Sequence, residues 1–292
     1  MRHSLKLFLA SLLLVAACAL DEQQAQTVVA ATAAPPTLRI IQIDVGQADA
    51  ALITTPEGKR ILIDAGANYA SVATALRSQR IDTIDLVIAS HNHADHIGGM
   101  PGVLAAAVVR AYLDNGIAHT TAAYRSTLAA VQREPGLRYL TATERTITVG
   151  SVRVRVLGLP GVDSSQNNNS VGVIIEYGKF SALYTGDSEL AELGAWIRAG
   201  KIPKVSMVKA AHHGSWNGWS EDLVRAASPK IVVVSVATPN GYGHPAPRVV
   251  NSWLASGAKV YRTDRDGDIE IAARTDGTFT VRTSRAPAAQ RQ

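Results

Sequence analysis

Three histidines and one aspartate are crowded into the segment Ser90–Gly99, which reads SHNHADHIGG. These four residues are His91, His93, Asp95 and His96. Because side chains at alternate extended positions point the same way, the first two histidines can share one metal ion, and the aspartate and third histidine then turn toward a second. Imidazole and carboxylate suit zinc, and they also suit manganese and iron. The segment therefore predicts two divalent metal ions, with zinc preferred and manganese as the alternative.

The segment directly before these residues, Ile84–Ala89, is a continuous apolar run, which predicts a strand buried on both faces. Further strands are predicted at Leu38–Asp44, Ala50–Thr55, Arg60–Asp64, Thr146–Val149, Ser151–Leu157, Val171–Tyr177, Phe180–Tyr184, Val205–Ala210, Lys230–Val236, Lys259–Tyr261 and Asp268–Ala273. Helices are predicted at Asn68–Arg80, Val103–Val109, His119–Gln132, Ser188–Arg198, Ser220–Ala227 and Pro247–Ser256. The acidic segment Asp264–Asp268 is predicted to be a turn, because its glycine lies too early for a calcium-binding loop. Two halves that each run strands and then helices predict two sheets packed face to face, with helices outside.

A run of the form H-x-H-x-D-H after a buried strand resembles the metal-binding motif of the metallo-β-lactamase fold superfamily. The resemblance implies an α/β fold, a four-layer αβ/βα sandwich of two mixed sheets with helices outside, and a metal centre at the sheet edges. It also implies ligands further along the chain. Asp187 ends a predicted strand and matches the acidic residue that bridges two ions, although its position also suits a helix N-cap. His212 matches the last histidine ligand, and the neighbouring His213 is the alternative.

One histidine of the family pattern is missing from this sequence. The family often has a histidine between the first motif and the bridging acid, whereas this chain has Asn167–Ser170 at the matching place. The resemblance then implies a first site of His91, His93 and Asp187, completed by water or by an asparagine carbonyl, with Asn169 beside the metals or the substrate. Such a site predicts weaker occupancy or a preference for manganese, and an open position is what a catalytic metal needs.

Several further motifs narrow the resemblance. They are Asp44–Ala50, Asn168–Ser170, His212–Ser215, Tyr242–Pro245 and Tyr261–Asp264, in that order. Together they resemble the metallohydrolase domain at the C-terminus of ComEC competence proteins and its stand-alone relatives, over about residues 38–275. The sequence departs from that pattern at Ala48, where a glycine is usual, and at Ala246, where a second histidine often follows. This resemblance implies a part in competence and DNA uptake, and a phosphodiester substrate.

The remaining polar residues of these motifs have expected roles around the metals. Asp95 is predicted to orient the attacking hydroxide and to accept its proton. His244 is predicted to be a general acid or to bind the substrate phosphate, although a structural role suits it equally. Asp64 is expected to hold a ligand histidine through its free ring nitrogen. Asp49 either stabilises a turn or lies near the metal. Of His212 and His213, the one that is not a ligand is expected to lie behind the ligands or to face the substrate.

Composition bounds the class of protein. Of 292 residues, 47% are hydrophobic and 18% are charged, which excludes a disordered or fibrous chain. A single cysteine excludes disulfides and cysteine-based metal sites within one chain. The net charge of +5 is too weak to argue nucleic-acid binding by itself. The main hypothesis is an exported phosphodiesterase or nuclease; the alternatives are a lactamase- or lactonase-type C–N or C–O hydrolase and a non-enzymatic surface binding module. No protein partner is indicated.

The N-terminus predicts export. Residues 1–17 combine a short basic start with an apolar run, as in a secretory signal peptide. The run ends in Val-Ala-Ala-Cys18, which resembles the lipobox of bacterial lipoproteins; the alternative is an ordinary signal peptide with an incidental cysteine. Residues 18–37 are expected to form a flexible tether, 38–284 the metallo-β-lactamase fold domain, and 285–292 a disordered tail. The expected location is a membrane-anchored lipoprotein, with the lipid on Cys18 as its only membrane contact, or a periplasmic or extracellular protein.

The lipobox gives the first testable prediction. Cys18→Ser should release the protein from membranes into the soluble exported fraction, because each buried methylene of an acyl chain contributes about 0.8 kcal/mol to membrane binding. Cell fractionation and immunoblotting of wild type and variant measure the shift. If wild-type protein is already soluble after export, the lipobox interpretation is wrong and only the prediction of a signal peptide remains.

Overall fold

The computed structural model describes residues 36–285. The predicted signal segment, Cys18 and the tether up to residue 35 lie outside the described residues, as do residues 286–292. Pro36 is held at the start of the domain, since its carbonyl accepts a hydrogen bond of 3.1 Å from the Tyr177 hydroxyl. Arg285, the first residue of the predicted tail, donates to Asp44 at 2.6 Å. Within the described part of the chain, no helix is long and apolar enough to cross a membrane.

The elements are numbered in chain order. The strands are β1 (Leu38–Gln42), β2 (Ala51–Thr54), β3 (Arg60–Ile63), β4 (Thr83–Ile84), β5 (Leu86–Ile88), β6 (Val108–Val109), β7 (Ala111–Asp114), β8 (Arg138–Thr141), β9 (Arg145–Val149), β10 (Val152–Val156), β11 (Val173–Tyr177), β12 (Phe180–Tyr184), β13 (Met207–Lys209), β14 (Ile231–Val234), β15 (Lys259–Arg262), β16 (Ile269–Ala273) and β17 (Phe279–Thr283). The α-helices are α1 (Ser71–Ser78), α2 (Ala94–Ile97), α3 (Met100–Ala106), α4 (Ala122–Arg133), α5 (Leu190–Arg198), α6 (Glu221–Ala227), α7 (Pro247–Ala255) and α8 (Thr263–Asp266). Short 3₁₀ turns cover Asn167–Asn169, Ala211–Gly214 and Trp216–Gly218.

These strands form two large mixed sheets. The first has the order β17-β16-β1-β2-β3-β5-β7-β8, and its strands β3, β5, β7 and β8 run parallel. The second has the order β15-β14-β13-β12-β11-β10-β9, and its strands β12 to β15 run parallel. The carboxyl ends of parallel strands in an α/β sheet open onto the crevice where ligands bind. Each sheet therefore offers one such edge.

Alternating burial explains how the layers stack. On β2, Ile53 points into the core between the sheets, while Leu52 points out against α1, α3 and α4. On β11, Ile175 points into the same core, while Ile174 points out against α5, α6 and α7. Side chains of a strand alternate between its two faces, so strands that are apolar on both faces must be covered on both. The predicted four-layer arrangement of two sheets with helices outside is confirmed.

The structure also corrects several predicted elements. Strands β7, β8 and β17 were not predicted, and the predicted helix Val103–Val109 is α3 followed by the short strand β6. Both β8 and β17 lie at a sheet edge, where polar side chains are tolerated and no apolar run marks the strand. The helix predicted from His119 begins only at Ala122, because the Thr121 hydroxyl caps it by accepting from Tyr124 N at 3.3 Å.

The predicted turn at Asp264–Asp268 contains a single helical turn, α8. It connects two different sheets, since β15 belongs to the second and β16 to the first. Asp268 fixes the crossing by accepting a hydrogen bond of 2.8 Å from Asp44 N, at the end of β1. The last segment of the chain thereby ties the two sheets together.

Close backbone packing fixes the short helix α2, which carries part of the histidine-rich segment. The loop after β3 lies against it, with Ala65 N donating to His96 O at 2.8 Å and Gly99 N donating to Gly66 O at 2.9 Å. A Cβ atom on Gly99 would lie 2.1 Å from the Ala65 carbonyl oxygen, where no real Cβ atom fits. The glycine is needed for this close approach.

We expect Gly99→Ala to lower the free energy of unfolding by about 1–3 kcal/mol, because the added methyl forces α2 away from the loop after β3. Urea denaturation measures the change. The matched control is Gly161→Ala, since a Cβ at that exposed glycine meets nothing within 4 Å and should change stability by less than about 0.5 kcal/mol. Equal stability of the two variants would contradict the packing described.

Candidate metal centre

The carboxyl ends of β5, β12 and β13 bring four side chains together: Asp95, His96, Asp187 and His213. Nε2 of His96 lies 3.3 Å from Asp187 Oδ2 and 3.7 Å from Asp95 Oδ2. Nε2 of His213 lies 3.6 Å and 3.3 Å from the same two oxygen atoms. Ligand atoms bound about 2.0–2.2 Å from one tetrahedral ion are separated by distances of this size. Two imidazole nitrogens and two carboxylate oxygens therefore form a set that can hold one divalent ion.

Both histidine rings of this set are fixed from behind. His96 Nδ1 lies 2.8 Å from Asp64 Oδ2, and His213 Nδ1 lies 2.9 Å from the Ser235 carbonyl oxygen. These acceptors favour a proton on Nδ1 and a free lone pair on Nε2, which is the arrangement of metal-ligating histidines. His96 Nε2 is buried and makes no hydrogen bond, and neither does Asp187 Oδ1. The donor set thus fits a metal ion and leaves polar atoms unsatisfied without one.

His91 and His93 form a second pair of donors beside this set. His91 Nε2 lies 3.0 Å from His93 Nδ1, and Ser90 Oγ lies 3.2 Å from His91 Nδ1. His91 is buried, whereas His93 is half-buried and reaches toward solvent. The ring of His119 is 6.4 Å from that of His93, nearer than its place in the sequence suggested. Two imidazole nitrogens that face each other at this distance can bind the same ion.

The asparagine segment does not supply the missing donor through Asn169. The Asn169 side chain is buried and closes its own loop, accepting from Asp163 N at 2.8 Å and donating to the Asp163 and Ser165 carbonyls at 2.9 Å. Asn168 Oδ1 accepts from the backbone of Glu189 and Glu192 near the start of α5. Both side chains therefore shape the loop. The place of Asn169 beside the metals or the substrate stays a prediction, although its amide group makes its hydrogen bonds within the loop.

The structure distinguishes the two histidines after β13. His212 and His213 both adopt left-handed backbone conformations, with φ of 49° and 52°, and the double turn aims His213 inward. Nε2 of His212 is 3.8 Å from Asp187 Oδ2, and its Nδ1 lies 3.0 Å from Asn217 Oδ1. His213 and not His212 completes the four-donor set, so the geometry favours the alternative that the sequence left open. His212 lies at the edge of the site and is more exposed to solvent than His213.

His244 lies over this edge. Its ring centre is 5.3 Å from that of His212 and 5.7 Å from that of the exposed Tyr242. Partial burial, together with the nearby His212 and His213 rings, lowers the pKa of His244 to about 4. Its Nδ1 is buried without a hydrogen-bond partner. An anion placed beside this ring would raise its pKa again, because opposite charge favours imidazolium.

The charges of the site are strongly coupled. Burial alone would raise the pKa of Asp187, but the neighbouring His96 and His213 hold it well below its usual value. Burial also disfavours a charged His96, yet Asp187 and Asp64 hold its pKa well above the usual value. For Asp95, burial alone would raise the pKa, but the hydrogen bond from His213 and the charges of His96 and His213 together lower it. A carboxylate pair between two imidazoles attracts positive charge, whether from protons or from a metal ion.

Sequence reasoning missed one charged residue of the site. Lys209, the last residue of β13, is buried, and its Nζ donates to Asp49 Oδ2. Asp49 belongs with His96, Asp187 and His213 to a group whose ligand atoms all lie within 4.8 Å of one another. The signal was present, because a lysine interrupts the apolar run Val205–Ala210.

Two curated relatives of this chain are much longer proteins. It is 27% identical over 263 residues to ComE operon protein 3 of Bacillus subtilis, covering 82% of this chain and 34% of that protein. It is 25% identical over 246 residues to Recombination protein 2 of Haemophilus influenzae, covering 81% and 29%. A shorter match of 54 residues, 39% identical, covers 18% of this chain and 18% of Ribonuclease Z of Clostridium kluyveri. The chain thus spans about a third of the length of the first two relatives.

Solved structures share the architecture at low sequence identity. The metallo-β-lactamase fold protein YhfI of Bacillus subtilis is 12% identical with a TM-score of 0.54, over 84% of this chain and 99% of that one. Igni18, a metallo hydrolase of Ignicoccus hospitalis, is 16% identical with a TM-score of 0.53, over 85% and 100%. The family model described as metallo-beta-lactamase superfamily matches residues 43–238, which include every residue of the four-donor set. This chain belongs to the metallo-β-lactamase superfamily.

Proposed function

We propose that this member of the superfamily is an exported phosphodiesterase that uses two divalent metal ions. The observation that carries the proposal is a set of four donors in which the Nε2 atoms of His96 and His213 each lie 3.3–3.7 Å from Asp95 Oδ2 and Asp187 Oδ2. The facing pair His91 and His93 lies beside it. The complete set would hold one ion. His91 and His93 would hold the other together with Asp187, with fewer protein ligands than the first. Zinc suits both sites, and manganese suits the less complete one.

Metal ions bound here would supply a hydroxide at neutral pH and stabilise negative charge on the reacting oxygens. The protein contributes position and proton transfer. Asp95 is the donor of the complete set that reaches solvent, with about a third of its side chain exposed. It can therefore orient the attacking water and accept its proton, while the His213 ring 3.3 Å away holds the carboxylate in place.

The charge of the site favours an anionic substrate. Asp49 is neutralised by Lys209, and Asp64 is paired with His96, so only Asp95 and Asp187 face the metal positions as free carboxylates. Two divalent ions outweigh two carboxylates and leave net positive charge, which a phosphodiester can neutralise. A lactam brings no such charge to the bond that breaks. The names of the relatives, which include a ribonuclease, a recombination protein and a ComE operon protein, support a nucleic-acid substrate such as DNA that is being taken up.

His244 is the residue we assign to the leaving group. Its ring lies at the edge of the site, next to the rings of Tyr242 and His212. An incoming phosphodiester would raise the pKa of the ring from about 4 and so load it with a proton. That proton can then pass to the departing oxygen, which is general acid catalysis.

The site can also be read as that of a C–N or C–O hydrolase of the same fold, such as a lactamase or lactonase, and the substrate test below includes that class. Export, and anchoring of the protein through a lipid on Cys18, complete the proposal. In this arrangement the substrate would be met outside the cytoplasm, and the membrane would be contacted only through that lipid.

The first test concerns Asp95. Isothermal titration of metal-free wild type with Zn²⁺ or Mn²⁺ should show two unequal binding steps, because one donor set is complete and the other is not. Asp95→Ala should lose the tighter step and lower phosphodiester hydrolysis by about 10³-fold, since it removes a ligand and the proton acceptor together. The control is Asp82→Ala, which changes an exposed aspartate bonded only to its neighbour Thr83. Full activity of Asp95→Ala with an intact fold would overturn the mechanism.

The second test concerns the substrate and His244. Purified protein with zinc or manganese should cleave bis(p-nitrophenyl) phosphate and single-stranded DNA far faster than nitrocefin. His244→Ala should lower turnover of DNA by about 10²-fold, the range for loss of a general acid. It should affect bis(p-nitrophenyl) phosphate less, because p-nitrophenolate departs without a proton. Equal losses on both substrates would make His244 a binding residue, and nitrocefin hydrolysis without diesterase activity would favour the lactamase alternative.

A further inference from the structure

A buried lysine stands directly behind the candidate metal centre. The Lys209 side chain is only 2% exposed, and it reaches from β13 of the second sheet toward the loop after β1 of the first. There its ammonium group donates to Asp49 Oδ2. A second carboxylate is close, because Lys209 Nζ lies 4.0 Å from Asp187 Oδ1, an atom with no hydrogen-bond partner. The same ammonium group therefore faces two carboxylates. Asp49 need not bind a metal ion, whereas Asp187 belongs to the donor set.

Asp49 lies on the wrong side of the two histidines to be a ligand with them. Its Oδ2 is 3.8 Å from His96 Nδ1, and its Oδ1 is 3.6 Å from His213 Nδ1. Those nitrogens are already engaged, by Asp64 and by the Ser235 carbonyl. The opposite nitrogen of each ring, Nε2, faces Asp187 and Asp95. Asp49 is near every donor, but the rings stand between it and the position where an ion satisfies both Nε2 atoms.

We propose that Lys209 is a fixed counterion of the metal centre. It removes Asp49 from coordination by pairing with it, and it places one positive charge beside the outer oxygen of Asp187. This inference rests on the proposed metal centre and assigns it a positioning residue that acts through two aspartates. A positive charge next to a ligand carboxylate weakens its hold on a cation and leaves the cation a stronger acceptor of negative charge. The lysine thus lowers the affinity of the site for metal and raises the positive charge at the reacting centre.

The proposal makes an unusual prediction for metal affinity. Lys209→Met keeps the length of the side chain and removes its charge, so the site gains one net negative charge and should bind the first Zn²⁺ or Mn²⁺ tighter, by about 10-fold or more. Asp49→Asn has the opposite charge effect and should bind it weaker by a similar factor. The double variant Lys209→Met/Asp49→Asn restores the net charge and should return to within a few-fold of wild type. Competition titration against a chelator of known affinity measures all three.

A purely structural role gives a different pattern. If Lys209 only supports the fold, its loss should loosen the donor set and weaken metal binding. Thermal unfolding of the metal-free proteins in excess chelator follows stability separately: both single variants leave a buried charge unpaired and should lower Tm, and the double variant should recover part of the loss. The matched control is Lys204→Met, at an exposed lysine of the same segment, which should leave affinity and Tm unchanged.

The outcomes separate the two proposals. Wild type that binds neither Zn²⁺ nor Mn²⁺ would refute the metal centre itself. Wild type that binds metal, with Lys209→Met equal or weaker, would refute the counterion while leaving the metal centre intact. If Lys209→Met does not fold, the comparison of Asp49→Asn with the double variant decides, because the counterion requires the double variant to bind metal more tightly.

Discussion

Buried carboxylates are the constraint on which the rest of this structure depends. The side chains of Asp49, Asp64 and Asp187 are at most 5% exposed, and a buried charge without partners costs several kcal/mol. The protein satisfies two of them with its own groups. Asp64 accepts from Ser90 N at 2.7 Å and Ser90 Oγ at 2.8 Å, and Asp49 is paired with Lys209.

Asp187 differs from these two in its partners. Its Oδ1 makes no hydrogen bond and its Oδ2 faces imidazole nitrogens, whereas Asp49, whose Oδ1 is also unbonded, has the Lys209 ammonium group on its Oδ2. His96 Nε2 is likewise buried and unbonded. Two buried lone-pair donors, a carboxylate oxygen and an imidazole nitrogen, lie 3.3 Å apart, and one divalent ion can satisfy both together. The packing of two sheets therefore creates a demand for positive charge at one point of their shared edge.

Backbone strain is found at the same place. Asp64, His212 and His213 have φ values of 57°, 49° and 52°, in the left-handed region that costs an ordinary residue about 1–2 kcal/mol. The surroundings hold these conformations by specific contacts, such as Ser215 N donating to His212 O at 2.8 Å and His213 Nδ1 facing Ser235 O. Each strained residue directs a polar side chain into or behind the donor set. The strained backbone thus serves to orient these side chains, as at other functional sites.

Periodicity predicted the fold where strands are apolar. The buried strands β5, β11, β12 and β14 were expected close to their observed positions, because runs of branched apolar residues have few other uses. The edge strands β8 and β17 were missed for the complementary reason: they are half exposed and their sequences, RYLT and FTVRT, carry no apolar run. Burial of both faces is not decisive by itself, because the buried strand β7, AYLD, was also missed, whereas β10, VRVRV, was predicted with one face exposed.

The site was predictable in its residue types and less so in its geometry. The spacing of the histidine-rich segment suffices to propose a metal centre, but the choice between His212 and His213 depends on two left-handed residues, which no spacing rule encodes. Asn169 was expected near the metals because of its position in the chain, and its amide instead closes a loop. Lys209 was read as part of a strand, since its partner Asp49 is 160 residues away in sequence. A local backbone conformation decides the first case, a closed loop the second, and a contact between the two sheets the third.

Among the described residues, the donors come from both sheets of the sandwich. The first sheet provides His91, His93, Asp95 and His96 from the end of β5, and the second provides Asp187 and His213 from the ends of β12 and β13. Neither sheet alone can complete the four-donor set, so the set exists only when the sheets are packed. Relatives that are about three times longer match this chain over about a third of their length. That match covers 81–82% of this chain and so must include every member of the donor set, which the packing of these two sheets is enough to bring together.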